Sequence, residues 1–589
     1  MPLAALPETP VTVSFRPLLV SMAALGLSFG ASAPVLAQEA TEQRTSTEFT
    51  MDTGGPRTPE QLAMRFDVAD LAIKVMPDDK AIEGVATLTF TATAPLDRLV
   101  VELDTRFDVS EVAIDGRVLS PNDWGNPEGR MTISLPRRLR AGQSVDLRIA
   151  YAGKPHVARN APWDGGFVWS TAPGGEPWIA TAIQGDGCDL FWPCIDHPMA
   201  EPGRVDLHIT IPSDLSAPAN GRFLGKEDHG DGWTTWNWTA DQPNNYAISL
   251  TVGPYVELSG TYESRFGNTI PMYFWHLNST DPDKAAALFA EFPEQLDFFE
   301  ATVGPFPFGD EKMGVVETPH LGMEHQTINA YGNNYRKDHN GYDWLLQHEL
   351  AHEWFGNQLT NVNWDDMWLH EGLGTYMQPL YTRWLNGEQY YQAALLEQRL
   401  GLANRFPIVS GQPMTEEEVY EDDRGPGGDI YRKGSLIMHS LRMLIGDEAF
   451  FESVTRLVYG RPDPRPGNFE PRYASTPDFL AIVNEVTGQD LGWFFNGYLY
   501  QAALPDLVSW QQGDRLMLEW VVGDGSAFPM PVEVSVDGQV QTVAMTGGRG
   551  EVRGVGPHSH VLIDPQNKVL RRLDNIDEFT AWRATQRRR

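Results

Sequence analysis

The sequence has few cysteines, few basic residues and only one long apolar stretch. Two cysteines in 589 residues, Cys188 and Cys194, exclude a disulfide-rich scaffold. In an oxidising compartment the pair would close a short loop, and two buried thiols fit the sequence equally well. Lysine and arginine total 45 against 79 aspartate and glutamate residues, a net charge of −34. This balance excludes the basic footprint that binding to nucleic acid or to an anionic membrane surface requires.

The apolar stretch lies near the N-terminus, between Leu18 and Ala37, and follows a single arginine, Arg16. It ends in Val35-Leu36-Ala37, a small-residue pattern typical of a cleaved secretory signal. A membrane anchor is the alternative, which the modest length and the many Ser, Gly and Ala residues disfavour. We therefore expect residues 1–37 to be a signal peptide. The mature chain is then exported to the periplasm or the extracellular space, without stable membrane insertion.

Length and composition indicate a folded protein of several domains. The 589 residues exceed the roughly 250–300 residues at which single cores stop growing. Hydrophobic residues make up 41% of the chain, well above the proportion found in disordered proteins. Residues 38–60 are polar and rich in Thr, Glu, Pro and Gly, so we expect them to form a flexible lead-in to the first domain.

Short alternating strands separated by turns occupy residues 61–254. Val85–Phe90 and Val205–Ile209 are examples, and such a series predicts a large antiparallel β domain. The pattern changes after Tyr255. Asp281-Pro282 is a typical helix start, with an N-cap followed by proline at the first helical position. Helical segments then dominate up to about residue 500.

The strand pattern returns after Pro505. Val532–Val536 and Gln539–Val543 flank Asp537-Gly538, a dipeptide that favours a type I′ hairpin turn. We therefore predict an α+β multidomain fold. Its parts are an N-terminal β domain at 61–254, a mainly helical domain at 255–503, a small C-terminal β domain at 504–575 and a tail at 576–589.

The segment from His348 to His352, His-Glu-Leu-Ala-His, carries the strongest chemical signal. Residues four apart on a helix share a face, so both imidazoles can bind one metal ion. Glu349 follows the first histidine and lies where it can take a proton from a metal-bound water. Two surface histidines beside a capping glutamate are the structural alternative.

A catalytic zinc ion takes three protein ligands and keeps its fourth position for water. Glu371 lies in a second helical segment downstream of the histidines, and its neighbour His370 is the competing ligand. Two histidines and one glutamate, with Glu349 as the base, form a complete set for peptide hydrolysis. We therefore predict one zinc ion per chain, held by His348, His352 and Glu371.

Four motifs follow a fixed order along most of the chain, from about residue 64 to about residue 575. They are Trp192-Pro193-Cys194-Ile195-Asp196 with Gln184 upstream, Leu321-Gly322-Met323-Glu324-His325, His348–His352 with Trp354-Phe355-Gly356-Asn357, and Tyr431-Arg432-Lys433-Gly434. They resemble the F-P-C-x-D, G-x-M-E-N, H-E-x-x-H and Y-x-K-G motifs of the gluzincin zinc aminopeptidases. This family includes aminopeptidase N and leukotriene hydrolase.

The resemblance implies a fold and a set of roles. The fold is an N-terminal β-saddle, a thermolysin-like catalytic domain and a small C-terminal β-sandwich. The large C-terminal helical domain of longer members is absent, so the site should be more open. Glu324 matches the family's amine-binding glutamate, with Gln184 as its companion and Gly322 and Met323 in the same substrate-binding motif. Tyr431 matches the donor that stabilises the tetrahedral oxyanion.

The implied function is a zinc metallo-aminopeptidase that releases N-terminal amino acids from peptides with a free N-terminus. The resemblance also implies that a zinc-bound water, activated by Glu349, attacks the scissile carbonyl. Several positions depart from the family pattern, and we expect the two histidines among them to add a titrating group that changes the pH dependence. These positions are Asp189, Leu321, His325, Glu353 and His370.

Two other functions fit the same fold. Epoxide hydrolysis is suggested by analogy with leukotriene hydrolase, because Asp423 precedes Tyr431 at a compatible spacing, although a solvated surface carboxylate explains Asp423 as well. An inactive binding module is the other alternative. Decayed homologues usually lose a metal ligand or the base, and neither is missing here.

Overall fold

The computed structural model describes residues 45–421, 423–467 and 469–587. The predicted signal peptide, 1–37, lies outside the described residues, so its prediction stands as made from the sequence. Among the helices within these ranges, none combines the length and the apolar character needed to cross a bilayer.

The N-terminal region is built from strands, as predicted. One sheet has eight strands in the order β12-β13-β11-β1-β2-β8-β4-β5, a second has the order β3-β7-β6, and β9 pairs with β10. The strands are β1 (Met64–Met76), β2 (Ala81–Ala92), β3 (Leu96–Glu102), β4 (Asp108–Ile114), β5 (Arg117–Val118), β6 (Trp124–Gly125), β7 (Arg130–Leu139), β8 (Ser144–Gly153), β9 (Gly166–Thr171), β10 (Pro177–Ala182), β11 (Arg204–Pro212), β12 (Arg222–Asp228) and β13 (Trp233–Asp241).

One strand pair differs from the predicted antiparallel arrangement. β1 runs parallel to β11, with Ala69 opposite Val205 and Lys74 opposite Thr210. Both strands alternate buried and more exposed residues, and this alternation is the feature of the sequence from which the strands are predicted. Alternation reports which face of a strand is buried and not the direction of its neighbour, so the sequence could not distinguish the two arrangements.

The predicted flexible lead-in is packed where the structure describes it, from residue 45 onward. Ser46 donates a hydrogen bond to Asp104, and Thr50 and Thr53 are buried. A short helix, α1 (Pro59–Leu62), follows, with a capping box. The prediction of flexibility is therefore wrong for this part of the lead-in, because its hydroxyl groups find partners inside the protein and not in water.

The central region combines two sheets with most of the helices. Its strands are β14 (Tyr255–Glu263), β15 (Thr269–Leu277), β16 (Met313–Glu317), β17 (Gly322–Met323), β18 (Asn329–Tyr331), β19 (Leu359–Asn361) and β20 (Arg472–Ala474). Five of them form a sheet in the order β14-β15-β16-β18-β17, and β19 pairs with β20. The helices are α2 (Pro282–Phe289), α3 (Phe292–Thr302), α4 (Trp344–Ala351), α5 (Trp368–Asn386), α6 (Glu388–Arg399), α7 (Glu416–Tyr420), α8 (Asp429–Ile445), α9 (Asp447–Tyr459), α10 (Thr476–Thr487) and α11 (Gly492–Tyr498).

Two predicted helix signals are confirmed in this region. Asp281 caps α2 by accepting a hydrogen bond from the Asp283 N–H, and Pro282 is the first helical residue.

Between α4 and α5 the chain forms β19, which pairs in parallel with β20, and a 3₁₀ turn at Trp364–Asp366. This connection returns the chain so that the first turn of α5 lies against α4.

The C-terminal region forms two three-stranded sheets, and the hairpin at Asp537-Gly538 is confirmed by positive φ angles at both residues. These strands share one hydrophobic core with the helices, and Phe528 packs against Trp493 and Tyr498. The predicted tail is helical up to residue 587. The elements are β21 (Asp506–Gln512), β22 (Arg515–Val521), β23 (Val532–Val536), β24 (Gln539–Val543), β25 (Arg549–Arg553), β26 (Val561–Ile563) and α12 (Asp574–Arg587).

The α+β fold class is therefore confirmed, with strands before and after a mainly helical region. Within the part of the chain that the structure describes, α12 is the only helix after α11, so no large C-terminal helical domain is present there. The boundary predicted at 503/504 separates helices from strands, but the elements on its two sides share one hydrophobic core.

The cap of α4 generates a prediction about stability. Asp343 is buried, accepts the N–H groups of Leu345 and Leu346, and also accepts hydrogen bonds from Tyr331 and Asn333. Asp343→Ala removes the cap and leaves two buried donors unpaired, which should cost about 2–4 kcal/mol. Chemical denaturation should reveal this loss.

Asp281→Ala is the matched control for this prediction, because Asp281 is an exposed N-cap without additional partners of this kind. It should cost only about 1 kcal/mol. Equal losses in the two variants would contradict the anchoring role of Asp343.

Candidate metal centre and substrate site

The two histidines of the H-E-x-x-H segment meet at the end of α4. The Nε2 atoms of His348 and His352 are 3.4 Å apart. Glu371, in the first turn of α5, brings its Oε2 to 3.6 Å from the Nε2 of His348 and 3.5 Å from that of His352. The structure thus brings together the three residues predicted to hold the metal.

These separations fit a tetrahedral metal ion. Zinc bonds of about 2.0–2.2 Å at tetrahedral angles place ligand atoms about 3.3–3.6 Å apart. The Oε2 of Glu371 is buried and has no hydrogen-bond donor in the described part of the protein. An orphaned carboxylate oxygen beside two imidazole nitrogens is the donor set that zinc takes, so the residues present fit the metal.

The orientation of His352 supports this assignment. Its Nδ1 lies 2.7 Å from the carbonyl oxygen of Phe355, to which it can donate a hydrogen bond. That bond would place the proton on Nδ1 and leave the lone pair of Nε2 free to bind a metal ion between His352 and Glu371. Metal-binding histidines are commonly fixed in this way through the nitrogen that does not bind the metal.

The competing ligand, His370, is engaged elsewhere. Its Nε2 accepts a hydrogen bond of 3.0 Å from the backbone N–H of Asn361, and its side chain is fully buried. Although His370 and Glu371 are adjacent in sequence, only Glu371 reaches the His348–His352 pair to form a three-residue group.

Glu349, the predicted base, is buried and lies beside the same centre. Its position depends on Gly322 of β17, because a Cβ at Gly322 would lie 2.3 Å from Oε1 of Glu349. The glycine of the predicted substrate-binding motif therefore leaves the space that this carboxylate occupies. Glu349, Glu324 and His352 form a second convergent group, with ligand atoms within 4.8 Å of one another.

Glu324, the predicted amine-binding residue, is 4% exposed and held by two neutral donors. The Nε2 of Gln184 and the hydroxyl of Tyr246 both donate to its Oε1, at 2.7 and 2.9 Å. Asn357 donates to the Glu324 carbonyl oxygen at 3.1 Å. The predicted pair of Gln184 and Glu324 is therefore in contact, and Oε2 of Glu324 is the oxygen left to meet a cation.

Tyr246 is a site residue that the sequence did not reveal. It lies in a 3₁₀ turn after β13, Asn245–Ala247, where no motif marks it. The same is true of Tyr420 at the end of α7, whose hydroxyl lies 2.7 Å from that of Tyr431. Only the folded arrangement brings these phenols to the site, so local pattern carries no signal for them.

Tyr431, the predicted oxyanion donor, lies in the first turn of α8. Its ring centroid is 6.2 Å from that of His348. Burial, together with the charge of Glu371, raises the pKa of the Tyr431 phenol well above its ordinary value. The hydroxyl therefore keeps its proton and remains a hydrogen-bond donor.

Met323, the remaining residue of the predicted substrate-binding set, is buried in β17 at the edge of the central sheet. It packs in the core of the helical region. The next residue along the chain is Glu324, so the edge strand positions the predicted amine-binding carboxylate.

The substitutions by histidine do not add a titrating group near neutral pH, contrary to expectation. Burial lowers the pKa of both His325 and His370 to about 3. Glu353, another departure from the family pattern, accepts hydrogen bonds from the Thr327 N–H and from the side chains of Asn329 and Asn357. It therefore ties the end of α4 to the loop that carries Glu324.

The sequence left the state of the two cysteines open, and the structure joins Cys188 and Cys194 in a disulfide. The bridge closes the loop between Gln184 and the Trp192–Asp196 motif. Asp189 is buried within this loop, where the resembling family often has arginine.

Comparison with protein-family models identifies the two main regions. The Peptidase family M1 domain matches residues 311–498, and the Peptidase M1 N-terminal domain matches residues 66–245. These ranges together span more than half of the chain and contain every predicted metal, base and substrate-binding residue.

Two curated proteins illustrate the similarity. The chain is 25% identical over 510 residues to aminopeptidase M1-B of Oryza sativa subsp. japonica, covering 80% of this chain and 55% of the rice protein. It is 23% identical over 412 residues to leukotriene A-4 hydrolase of Xenopus laevis, covering 66% of this chain and 64% of the frog protein. The chain thus spans between half and two thirds of the length of these relatives.

Two solved structures illustrate the similarity in fold. An M1 zinc metallopeptidase variant from Deinococcus radiodurans, bound to a Tyr-Ser-Ala substrate, is 25% identical with a TM-score of 0.64. The similarity covers 77% of this chain and 98% of that structure. A two-domain M1 zinc metallopeptidase variant bound to L-arginine has a TM-score of 0.63 and 25% identity, covering 76% of this chain and 96% of that structure.

The ligand geometry predicts the zinc content of variants. We expect one zinc ion per wild-type chain, and Glu371→Ala should reduce the bound zinc to a small fraction because one of three ligands is lost. His370→Asn is the control and should keep its zinc, since His370 contacts the backbone of Asn361. Elemental analysis after dialysis measures both, and the opposite pattern would identify His370 as the ligand.

Proposed function

The chain belongs to peptidase family M1, and from this premise we propose that it is a zinc aminopeptidase that releases N-terminal residues from peptides with a free α-amino group. One observation carries the proposal. A metal-ligand set and a carboxylate held by Gln184 and Tyr246 lie side by side, so an ammonium group and the adjacent peptide bond can be bound together.

The proposed metal ligands are His348, His352 and Glu371. Zinc bound there would supply a Lewis acid that polarises the scissile carbonyl and lowers the pKa of water. Glu349, whose carboxylate converges with Glu324 and His352, is the proposed base that takes the proton. Burial of the ligands and of Glu349 lowers the local dielectric constant, which strengthens the electrostatic interactions on which the reaction depends.

Glu324 is the proposed reader of the substrate N-terminus. A substrate positioned by an internal peptide bond has no ammonium group at this place. Its binding would leave the charge of the buried Glu324 carboxylate unpaired, which is unfavourable. Neutral donors hold Oε1 of Glu324 without neutralising it. The ligands of the two similar M1 zinc metallopeptidase structures, Tyr-Ser-Ala and L-arginine, each have a free α-amino group.

Tyr431 is the proposed donor to the oxyanion that forms as the scissile carbonyl becomes tetrahedral. Its hydroxyl keeps its proton, and its ring stands beside that of His348. Donors placed at a developing negative charge contribute strongly in buried sites, and losing one typically costs about 10²–10³ in rate.

Neither alternative function is favoured. Asp423, on which epoxide hydrolysis would depend, is exposed to solvent, as a surface carboxylate is. An inactive module is disfavoured because the ligand set, Glu349, Glu324 and Tyr431 all surround one point of the structure.

Glu349→Gln tests the base. The amide cannot take a proton, so turnover of an aminoacyl anilide should fall at least about 10³-fold while bound zinc stays at the wild-type level. Glu353→Gln is the matched control on the same stretch of chain, because Glu353 contacts backbone and amide groups only. A Glu349→Gln variant with wild-type turnover would contradict the assignment.

Glu324→Gln tests the recognition of the free amine. Loss of a charge-assisted contact worth about 1.5–3 kcal/mol should lower kcat/KM for free peptides about 10- to 150-fold. For the wild type, N-acetylation of the peptide should lower kcat/KM at least as much. Glu417→Gln, an exposed carboxylate on α7, controls for general charge effects. Equal cleavage of acetylated and free peptides by the wild type would instead indicate an endopeptidase.

We also propose that the mature protein is exported to the periplasm or the extracellular space and acts there on peptides. The apolar stretch ending in Val35-Leu36-Ala37 supports this. The Cys188–Cys194 disulfide supports it independently, since such bridges persist in oxidising compartments.

N-terminal sequencing of the protein from its native host tests the export proposal. The mature chain should begin at or near Gln38 and should be found outside the cytoplasm. An intact N-terminus on a cytoplasmic protein would contradict it.

A further inference from the structure

The hydroxyl of Tyr431 has a second phenol as its neighbour. Tyr420 brings its hydroxyl oxygen to 2.7 Å from that of Tyr431, and either oxygen can donate the hydrogen bond. Both side chains are partly buried against the core of the helical region. This separation is the ordinary length of an O–H···O hydrogen bond, so the two phenols are hydrogen-bonded to each other.

Tyr420 is held by the construction of α7 and the loop after it. Thr415 and Glu418 form a capping box at the start of this five-residue helix, and Val419 is buried. The N–H of Gly427 donates to the carbonyl oxygen of Val419 at 2.9 Å. A Cβ at Gly425 would lie 2.1 Å from the same carbonyl oxygen, so only glycine permits this close return of the chain.

The pair has a chemical consequence. A phenol that donates its only proton to an oxyanion must give up any other bond in which it was the donor. Its oxygen can still accept a hydrogen bond, and a donor there polarises the O–H group and strengthens the bond that it makes. Burial raises the pKa of Tyr420 well above its ordinary value, so Tyr420 keeps the proton that this role needs.

We infer that Tyr420 is a positioning residue for Tyr431. It holds the Tyr431 hydroxyl in place and donates to its oxygen while Tyr431 donates to the oxyanion of the substrate. This inference rests on the proposed function, because it assigns no separate reaction to Tyr420. It makes the α7 segment part of the catalytic apparatus, although α7 carries no residue predicted from a motif.

Tyr420→Phe tests the inference, since it removes only the hydroxyl. One neutral hydrogen bond is worth about 0.5–1.5 kcal/mol, so kcat should fall about 2- to 13-fold while KM and bound zinc stay unchanged. Tyr431→Phe should lower kcat about 10²–10³-fold. The double variant should equal Tyr431→Phe alone, because Tyr420 acts through a hydroxyl that is then missing.

A binding measurement separates positioning from a structural role. Calorimetry should show that Tyr420→Phe weakens the zinc enzyme's affinity for a tetrahedral aminophosphonic analogue of leucine by the same factor as kcat. Affinity for 3-methylbutan-1-amine, which keeps the amine and the side chain of leucine but has no acid group, should not change. Tyr390→Phe on α6 is the control, because that phenol is exposed, and it should match the wild type in every measurement.

Two results would overturn the inference: wild-type kcat and analogue affinity in Tyr420→Phe, or losses in the double variant that multiply those of the single variants. Equal weakening of the analogue and of 3-methylbutan-1-amine would also contradict it, because it would indicate a general disturbance of the site. A wild type that releases no N-terminal residues would contradict the proposed function instead, and the two affinities would still test the pairing of Tyr420 with Tyr431.

Discussion

The site depends on holding two imidazole nitrogens and one carboxylate oxygen within 3.6 Å of one another inside the protein. His352 is 1% exposed and the Glu371 side chain 4%. Burying an unpaired carboxylate is costly, so a cation at the centre of the three ligands stabilises this arrangement. The surrounding core must therefore fix α4 and α5 firmly enough to keep the donors converged.

Large aromatic side chains provide that rigidity. Trp354, two residues after His352, is fully buried and stacks on Phe299 with ring centroids 4.7 Å apart. Trp368, at the start of α5, is also fully buried and donates from its indole N–H to Thr476 at 2.8 Å. Each segment that carries a metal ligand is thus anchored by a buried tryptophan. Trp354 is held by ring stacking and Trp368 by the hydrogen bond of its indole N–H.

The proposed recognition of the substrate N-terminus depends on residues from two hydrophobic cores. Gln184 follows β10 of the N-terminal region, whereas Glu324 directly follows β17 of the central sheet, and the two side chains meet where these cores join. Buried amides hold the junction, since Asn220 donates to the carbonyl oxygen of Gln326 at 2.7 Å and Asn244 to that of Gly356 at 3.0 Å. Exopeptidase selectivity is therefore expected to depend on the docking of the N-terminal region and not on the catalytic helices alone.

Much of this could be predicted from the sequence, because the chemistry is concentrated in short motifs. The spacing of His348 and His352 predicts that both side chains lie on one face of a helix. Glu371 is predicted as their third partner, and Glu324 stands in a segment that resembles the family's G-x-M-E-N motif. Tyr246 and Tyr420 could not be found in this way, since their roles arise from contacts between distant segments. Burial was equally hidden, which is why the histidines at 325 and 370 were expected to titrate. The parallel β1–β11 pair and the packed lead-in also follow from long-range contacts.

The most direct test of the account is the position of the metal in crystals of the zinc-loaded protein. Anomalous diffraction at the zinc absorption edge should show one strong site per chain, about 2.0–2.2 Å from the Nε2 atoms of His348 and His352 and from a carboxylate oxygen of Glu371. Glu349 and Glu324 should lie outside bonding distance. A peak coordinated instead by Glu324, Glu349 and His352, the other convergent group of this site, would contradict the assignment of ligand, base and amine reader together.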